Sequence, residues 1–97
     1  LPANWSNAIL ICAKCSKRQH GGFGPKRKTP LAKALRKALH LKKGRKASAG
    51  IIEVKCLGVC PRDAVTVVNT RQPGLWRLVR PGTDVEEVAA ELGVDQA

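Results

Sequence analysis

Two close pairs of cysteines constrain this chain more than any other feature. Cys12-Ala-Lys-Cys15 and Cys56-Leu-Gly-Val-Cys60 are separated by forty residues. Each pair begins where a short apolar run ends: Ala8 to Ile11 before Cys12, and Ile51-Ile52-Glu53-Val54 before Cys56. Such runs read as buried strands. Between them lies one amphipathic helix, so the unit is strand, helix, strand. A right-handed crossover lays those strands parallel and adjacent, with their C-terminal ends on one rim of the sheet. Both cysteine pairs are therefore expected to converge there as a four-thiolate metal site.

The rest of the chain completes a single small domain. Residues 1–7 are an N-terminal extension, and residues 13–28 read as a basic loop broken by Gly21, Gly22, Gly24 and Pro25. Thr29-Pro30 is a helix start, with a capping hydroxyl ahead of a proline at the first helical position. Leu31, Ala34, Leu35, Ala38 and Leu39 give that helix its apolar face. His40, Lys42 and Lys43 fall in its last turn, and Gly44 is the expected stop. Ala64 to Val68 and Leu75 to Val79 predict a hairpin, with Trp76 expected to be buried. Thr83 and Glu86 predict a capping box that opens a last helix ended by Gly93. The expectation is an α/β protein of order βαβββα, with a small mixed sheet and two helices.

The identity of the metal can be narrowed. Zinc ribbons place their two cysteine pairs about 15–20 residues apart, whereas here forty residues and a whole helix intervene. Four thiolates also suit a [2Fe–2S] cluster, with two on each iron. The assembly is anionic, and residues 1–52 hold thirteen Lys and Arg and no acidic residue. Gly58, inside the second pair, would let backbone N–H groups approach the sulfurs, and Pro61 would stiffen the exit from that loop.

The strand-Cys, Cys, helix, strand-Cys-Leu-Gly-Val-Cys-Pro-Arg-Asp-Ala-Val-Thr-Val-Val arrangement resembles the thioredoxin-like [2Fe–2S] ferredoxins and the cluster-bearing small subunit of respiratory NADH dehydrogenase. It covers roughly residues 8–93, and the second pair with its downstream strand is the most specific part. The resemblance implies a truncated thioredoxin-like fold, with Cys12, Cys15, Cys56 and Cys60 as cluster ligands. It also implies one-electron transfer rather than enzymatic turnover, and homodimers among the family's members. One departure is that the first pair is spaced more tightly than is usual in the family, which bears on Cys15.

Charge and compartment fit an electron carrier. The chain has 18 Lys and Arg against 7 Asp and Glu, a net +11. The basic half would steer an acidic redox partner. Lys14, Lys17, Lys55 and Arg62 flank the ligands, and their charge would raise the reduction potential. Aromatic residues make up 3% of the chain, too few for an extended stacking platform, so nucleic acid ranks behind a protein partner. No stretch reaches the ~20 apolar residues of a membrane span. No export signal is read, and Leu1 in place of Met suggests a trimmed chain. The expected compartment is the cytosol, where thiols stay reduced.

Two other readings of the same residues stand beside this one. A zinc-stabilised nucleic-acid-binding module would use the same four cysteines (Zn²⁺ in place of the cluster) and the basic half. A thioredoxin-type dithiol would use Cys12 and Cys15, but such a pair opens a helix, whereas here a glycine-rich loop is expected. His20 and His40 read as surface or capping residues. The sequence has no paired carboxylates, Ser/His/Asp set or HExxH motif, so nothing supports hydrolytic chemistry.

Overall fold

The computed structural model describes residues 2–41, 44–59 and 61–92. Four strands are formed: β1 (Ala8–Cys12), β2 (Gly50–Val54), β3 (Val65–Asn69) and β4 (Arg77–Val79). They make one sheet of order β2-β1-β3-β4, with β1 parallel to β2, β3 antiparallel to β1, and β4 antiparallel to β3. This is the small α/β fold with a mixed sheet expected from the sequence. Three α-helices accompany it, one more than expected: α1 (Ala13–Arg18), α2 (Leu31–Ala38) and α3 (Val85–Leu92), with a 3-10 turn at Gly44–Lys46.

The core lies on one face of the sheet. Ile9 and Ile11 of β1, Ile51 of β2, Val65 and Val67 of β3, and Val79 of β4 are buried against Leu31 and Leu35 of α2 and Val88 and Leu92 of α3. Each fully buried Leu, Ile or Val contributes ~1.5–3 kcal/mol, so this apolar face holds α2 and α3 on the sheet. A polar clamp closes one end. Asn7 Nδ2 donates to Asn69 Oδ1 at 2.9 Å, and Asn69 Nδ2 donates to the Leu92 carbonyl at 2.7 Å, tying α3 to β3. On the opposite face Leu10 and Ile52 are half-buried, and Leu78 is exposed.

Several sequence expectations need correction. Residues 13–28 are not one loop. Ala13–Arg18 is α1, and the remainder is pinned by Phe23, which is fully buried and pairs with Thr29 through two backbone bonds of 3.0 and 2.9 Å. Those bonds use the backbone of Thr29, so Pro30 takes the N-cap position of α2 with no side-chain cap. That helix stops at Leu39 rather than Gly44. His40 takes a left-handed φ of 51°, its N–H bonds the Lys37 carbonyl, and the Leu41 N–H bonds the Arg36 carbonyl. This is a Schellman stop with histidine in the usual glycine position. The same device ends α1, with His20 at φ 53° and Gly21 N–H on the Ser16 carbonyl.

The second hairpin strand begins at Arg77, two residues later than expected, and Trp76 is 42% exposed rather than buried. Its indole N–H is satisfied by the Pro73 carbonyl at 2.9 Å. The start of α3 is also shifted. Asp84 Oδ1 accepts from the Glu86 N–H at 3.1 Å, whereas Thr83 Oγ1 donates back to the Arg80 carbonyl. Lys42, Lys43 and the expected stop at Gly93 lie outside the described residues.

Candidate metal centre

The parallel pairing of β1 and β2 ends with Cys12 opposite Val54, so Cys56 follows two residues beyond the same rim. Cys12 turns the chain from strand into helix. It is the N-cap of α1, with φ −70° and ψ 112°, and its Sγ accepts the Cys15 N–H at 3.4 Å. The first helical turn is joined to the second loop through Lys14 N–H, which donates to the Lys55 carbonyl at 3.3 Å.

The loop after Cys56 folds over this start. Thr66 Oγ1 donates to the Val59 carbonyl at 2.9 Å, and Cys15 Sγ lies 3.9 Å from both of those oxygens. Gly58 N–H donates to Cys56 Sγ at 3.3 Å, as its position inside the second pair suggested. Its φ of +89° is one that a residue with a Cβ seldom adopts. Gln19 Nε2 donates to the Arg62 carbonyl at 2.6 Å, fixing the far side of the loop to the end of α1.

These donors act on the sulfur chemistry. Burial alone would push the Cys12 thiol up. The backbone N–H and side chain of Cys15, together with the backbone N–H groups of Leu57 and Lys14, outweigh it, and the net shift is downward. Leu57 belongs to the second cysteine loop, so that loop also contributes to holding the Cys12 thiol down. Lys14, Lys17, Lys55 and Arg62 are exposed on the segments that carry the cysteines.

The four expected ligands fare differently. Cys12 and Cys15 are adjacent, unbridged by a disulfide, and buried at 0% and 2% exposure. Cys56 is exposed at the loop edge. Cys60 lies outside the described residues. Among the described residues, no three Cys, His, Asp or Glu side chains stand together as a ready metal site. His20 and His40 are both exposed at helix ends, in line with the reading of them as surface or capping residues.

The donor set nonetheless fits a soft metal centre. The described candidate donors are sulfur, Cys12 and Cys15 at the start of α1 and Cys56 on the loop after β2; a backbone bond joins these two segments, and N–H groups point at Cys12 and Cys56 Sγ. Sequence reasoning missed that the first pair opens a helix. The missed signal was the cysteine itself, whose sulfur caps the helix where a hydroxyl or carboxylate usually does. The helix start removes one objection to a dithiol reading. Burial raises another, because reactive cysteines are partly exposed.

Among the described residues no helix is long and apolar enough to cross a membrane. Compared with family models, curated proteins and solved structures, the chain matches none of them.

Proposed function

We propose that this protein is a small iron–sulfur electron carrier of a reducing compartment. The observation that carries the reading is that the start of α1 meets the second cysteine loop: Lys14 N–H bonds the Lys55 carbonyl, Cys15 Sγ lies 3.9 Å from the Val59 carbonyl, and backbone N–H groups donate to Cys12 Sγ and Cys56 Sγ. Cys12, Cys15, Cys56 and Cys60 would hold the cluster. A [2Fe–2S] centre supplies a one-electron couple whose potential depends on hydrogen bonds to its sulfurs and on local charge. The chain's own part is to offer thiolates at low cost, to exclude water from Cys12 and Cys15, and to surround the rim with Lys14, Lys17, Lys55 and Arg62. Those cations also suit docking by an acidic redox partner.

A thiol–disulfide exchange role is the second reading, favoured by the placement of Cys12 and Cys15 at the start of α1. The burial of Cys12 weighs against it, since a protein disulfide has no path to that sulfur.

One purification separates the readings. Protein isolated without oxygen should be brown, carry about two irons and two acid-labile sulfides per chain, and bleach with dithionite. Cys12→Ser and Cys56→Ser should each lower the iron content. A colourless protein containing zinc overturns the proposal in favour of the zinc module. A colourless metal-free protein that reduces insulin disulfides overturns it in favour of thiol exchange.

A further inference from the structure

The rim of the sheet opposite the cysteines carries a second, differently built site. Gly50 pairs with Ala8 at one end of β1, and Cys12 with Val54 at the other. Four residue steps, ~13 Å, lie between them. At the Gly50 end, a groove of about 560 Å³ opens between α2 and β2, lined by Trp5, Lys33, Arg36, Lys37, Gly50 and Ile51 among others.

Its parts are fixed in place. A Cβ on residue 50 would collide with three consecutive atoms of the six-membered ring of Trp5, Cε3, Cζ3 and Cη2. Near-equal approach to three such atoms means that the ring meets Gly50 with its face, and only glycine permits this. The indole N–H donates to the Gly44 carbonyl at 2.8 Å. The backbone on either side is tied down as well, by Asn4 N–H on the Arg45 carbonyl at 2.7 Å and Ser6 N–H on the Ser48 carbonyl at 2.8 Å. Trp5 stays 39% exposed, a flat aromatic plate held at the groove wall.

The cations come from one stripe of α2. Lys33, Arg36 and Lys37 are spaced i, i+3 and i+4, so they share a face. Arg36 is anchored by an Nη2 bond to the Ile51 carbonyl. Among the described residues, no carboxylate lines the groove. A bare anion would need only the lysines, and an acidic peptide would gain little from an immobilised indole. A planar base joined to a phosphate uses both features, through stacking and through charge.

We propose that this groove binds a nucleotide, with the base stacked on Trp5 and the phosphate held by Lys33 and Lys37. The source can be a free nucleotide or one unit of a single strand. The site does not depend on the cluster, and iron content does not enter its test.

The test uses the full chain carrying Trp76→Phe, so that Trp5 is the remaining indole. It is titrated with 5′-AMP by fluorescence quenching, and with a labelled ten-residue oligothymidylate by anisotropy as well. The variant K33Q/K37Q changes two exposed side chains. K26Q/K28Q removes the same charge from an exposed turn outside the groove. Quenching by 5′-AMP that weakens at least tenfold in K33Q/K37Q, and less than twofold in K26Q/K28Q, supports a free-nucleotide site. The same contrast with the oligonucleotide alone, with the log–log salt slope lowered by about 1.4, supports a strand site. Equal losses in the two double variants, or no quenching of Trp5 by either probe, overturn the proposal.

Discussion

Gly21 and Gly58 form a matched pair that tests how the two loops around the cysteines are held. Both have a left-handed backbone, with φ of +87° and +89°. Alanine at either position therefore incurs the same left-handed penalty, ~1–2 kcal/mol, and the same small gain from a stiffer unfolded chain, ~0.4–1 kcal/mol. Their surroundings differ. A Cβ at Gly58 meets nothing within 4 Å among the described residues, whereas one at Gly21 runs into the backbone carbonyl of Lys28.

That carbonyl cannot retreat cheaply. Lys28 sits between Arg27, whose carbonyl accepts from Gly22, and Thr29, which exchanges two bonds with Phe23. Loosening the Phe23–Thr29 pair forfeits ~0.5–1.5 kcal/mol per bond. Gly21→Ala should therefore cost ~1–3 kcal/mol more than Gly58→Ala, the two bonds together. Against a total stability of roughly 5–15 kcal/mol, that difference is easily measured. Urea unfolding of the metal-free, reduced protein, followed by far-ultraviolet circular dichroism, gives both values without interference from a bound cluster. Equal costs within about 0.5 kcal/mol, a small fraction of the two-bond estimate, would show that the segment yields freely and that the Phe23 anchor does not restrain it.

Three further outcomes follow from the same structure. Asn69→Ala should lower stability by ~1–3 kcal/mol, because Asn7 Nδ2 and the Leu92 carbonyl both lose a buried partner; hydrogen exchange should show α3 opening first, and protection unchanged there refutes the clamp. His40→Gly should raise the urea midpoint, since relief of ~1–2 kcal/mol of left-handed strain exceeds the ~0.5–1 kcal/mol entropy cost of glycine; a lower midpoint would mean that the His40 side chain contributes more than its backbone costs. The third concerns pH. The Cys12 pKa is lower in the folded protein than in the unfolded chain, so its contribution is fully present above the unfolded pKa and is lost as pH falls through the folded one. The metal-free protein should therefore gain stability toward alkaline pH up to the ordinary thiol range, and Cys12→Ser should flatten that rise.

Much of the fold was legible because periodicity reports burial directly. Ile9, Ile11, Ile51 and Val67 sit in short apolar runs that read as buried strands, and Leu31, Leu35 and Leu39 recur as a helix face should. The helix α1 was not legible, because six residues are too few for a periodic signal and its cap is a sulfur. Phe23 was not legible either: a lone apolar residue among glycines is indistinguishable from a loop tip until the core closes over it. Thr29 and Thr83 looked like caps by residue type, but the backbone bonds of Thr29 and the neighbouring carboxylate of Asp84 displaced both. That the segments following β1 and β2 share one rim followed from the parallel pairing and could be anticipated. The Trp5 groove depends on contacts between residue 5 and residues 44–50, which no local pattern encodes.

The bond from Arg36 to the Ile51 carbonyl has a consequence for how copies of this protein meet. Gly50 N–H points inward to the Asn7 carbonyl, so the neighbouring Ile51 carbonyl points outward, along the unpaired margin of β2. A guanidinium seated there, with the exposed charge of Glu53 further along, denies an incoming strand its hydrogen-bond register. At the other margin β4 is only three residues long, too short to template growth. The sheet is thereby guarded at both sides against end-to-end polymerisation, even though its outer face leaves Leu78 uncovered.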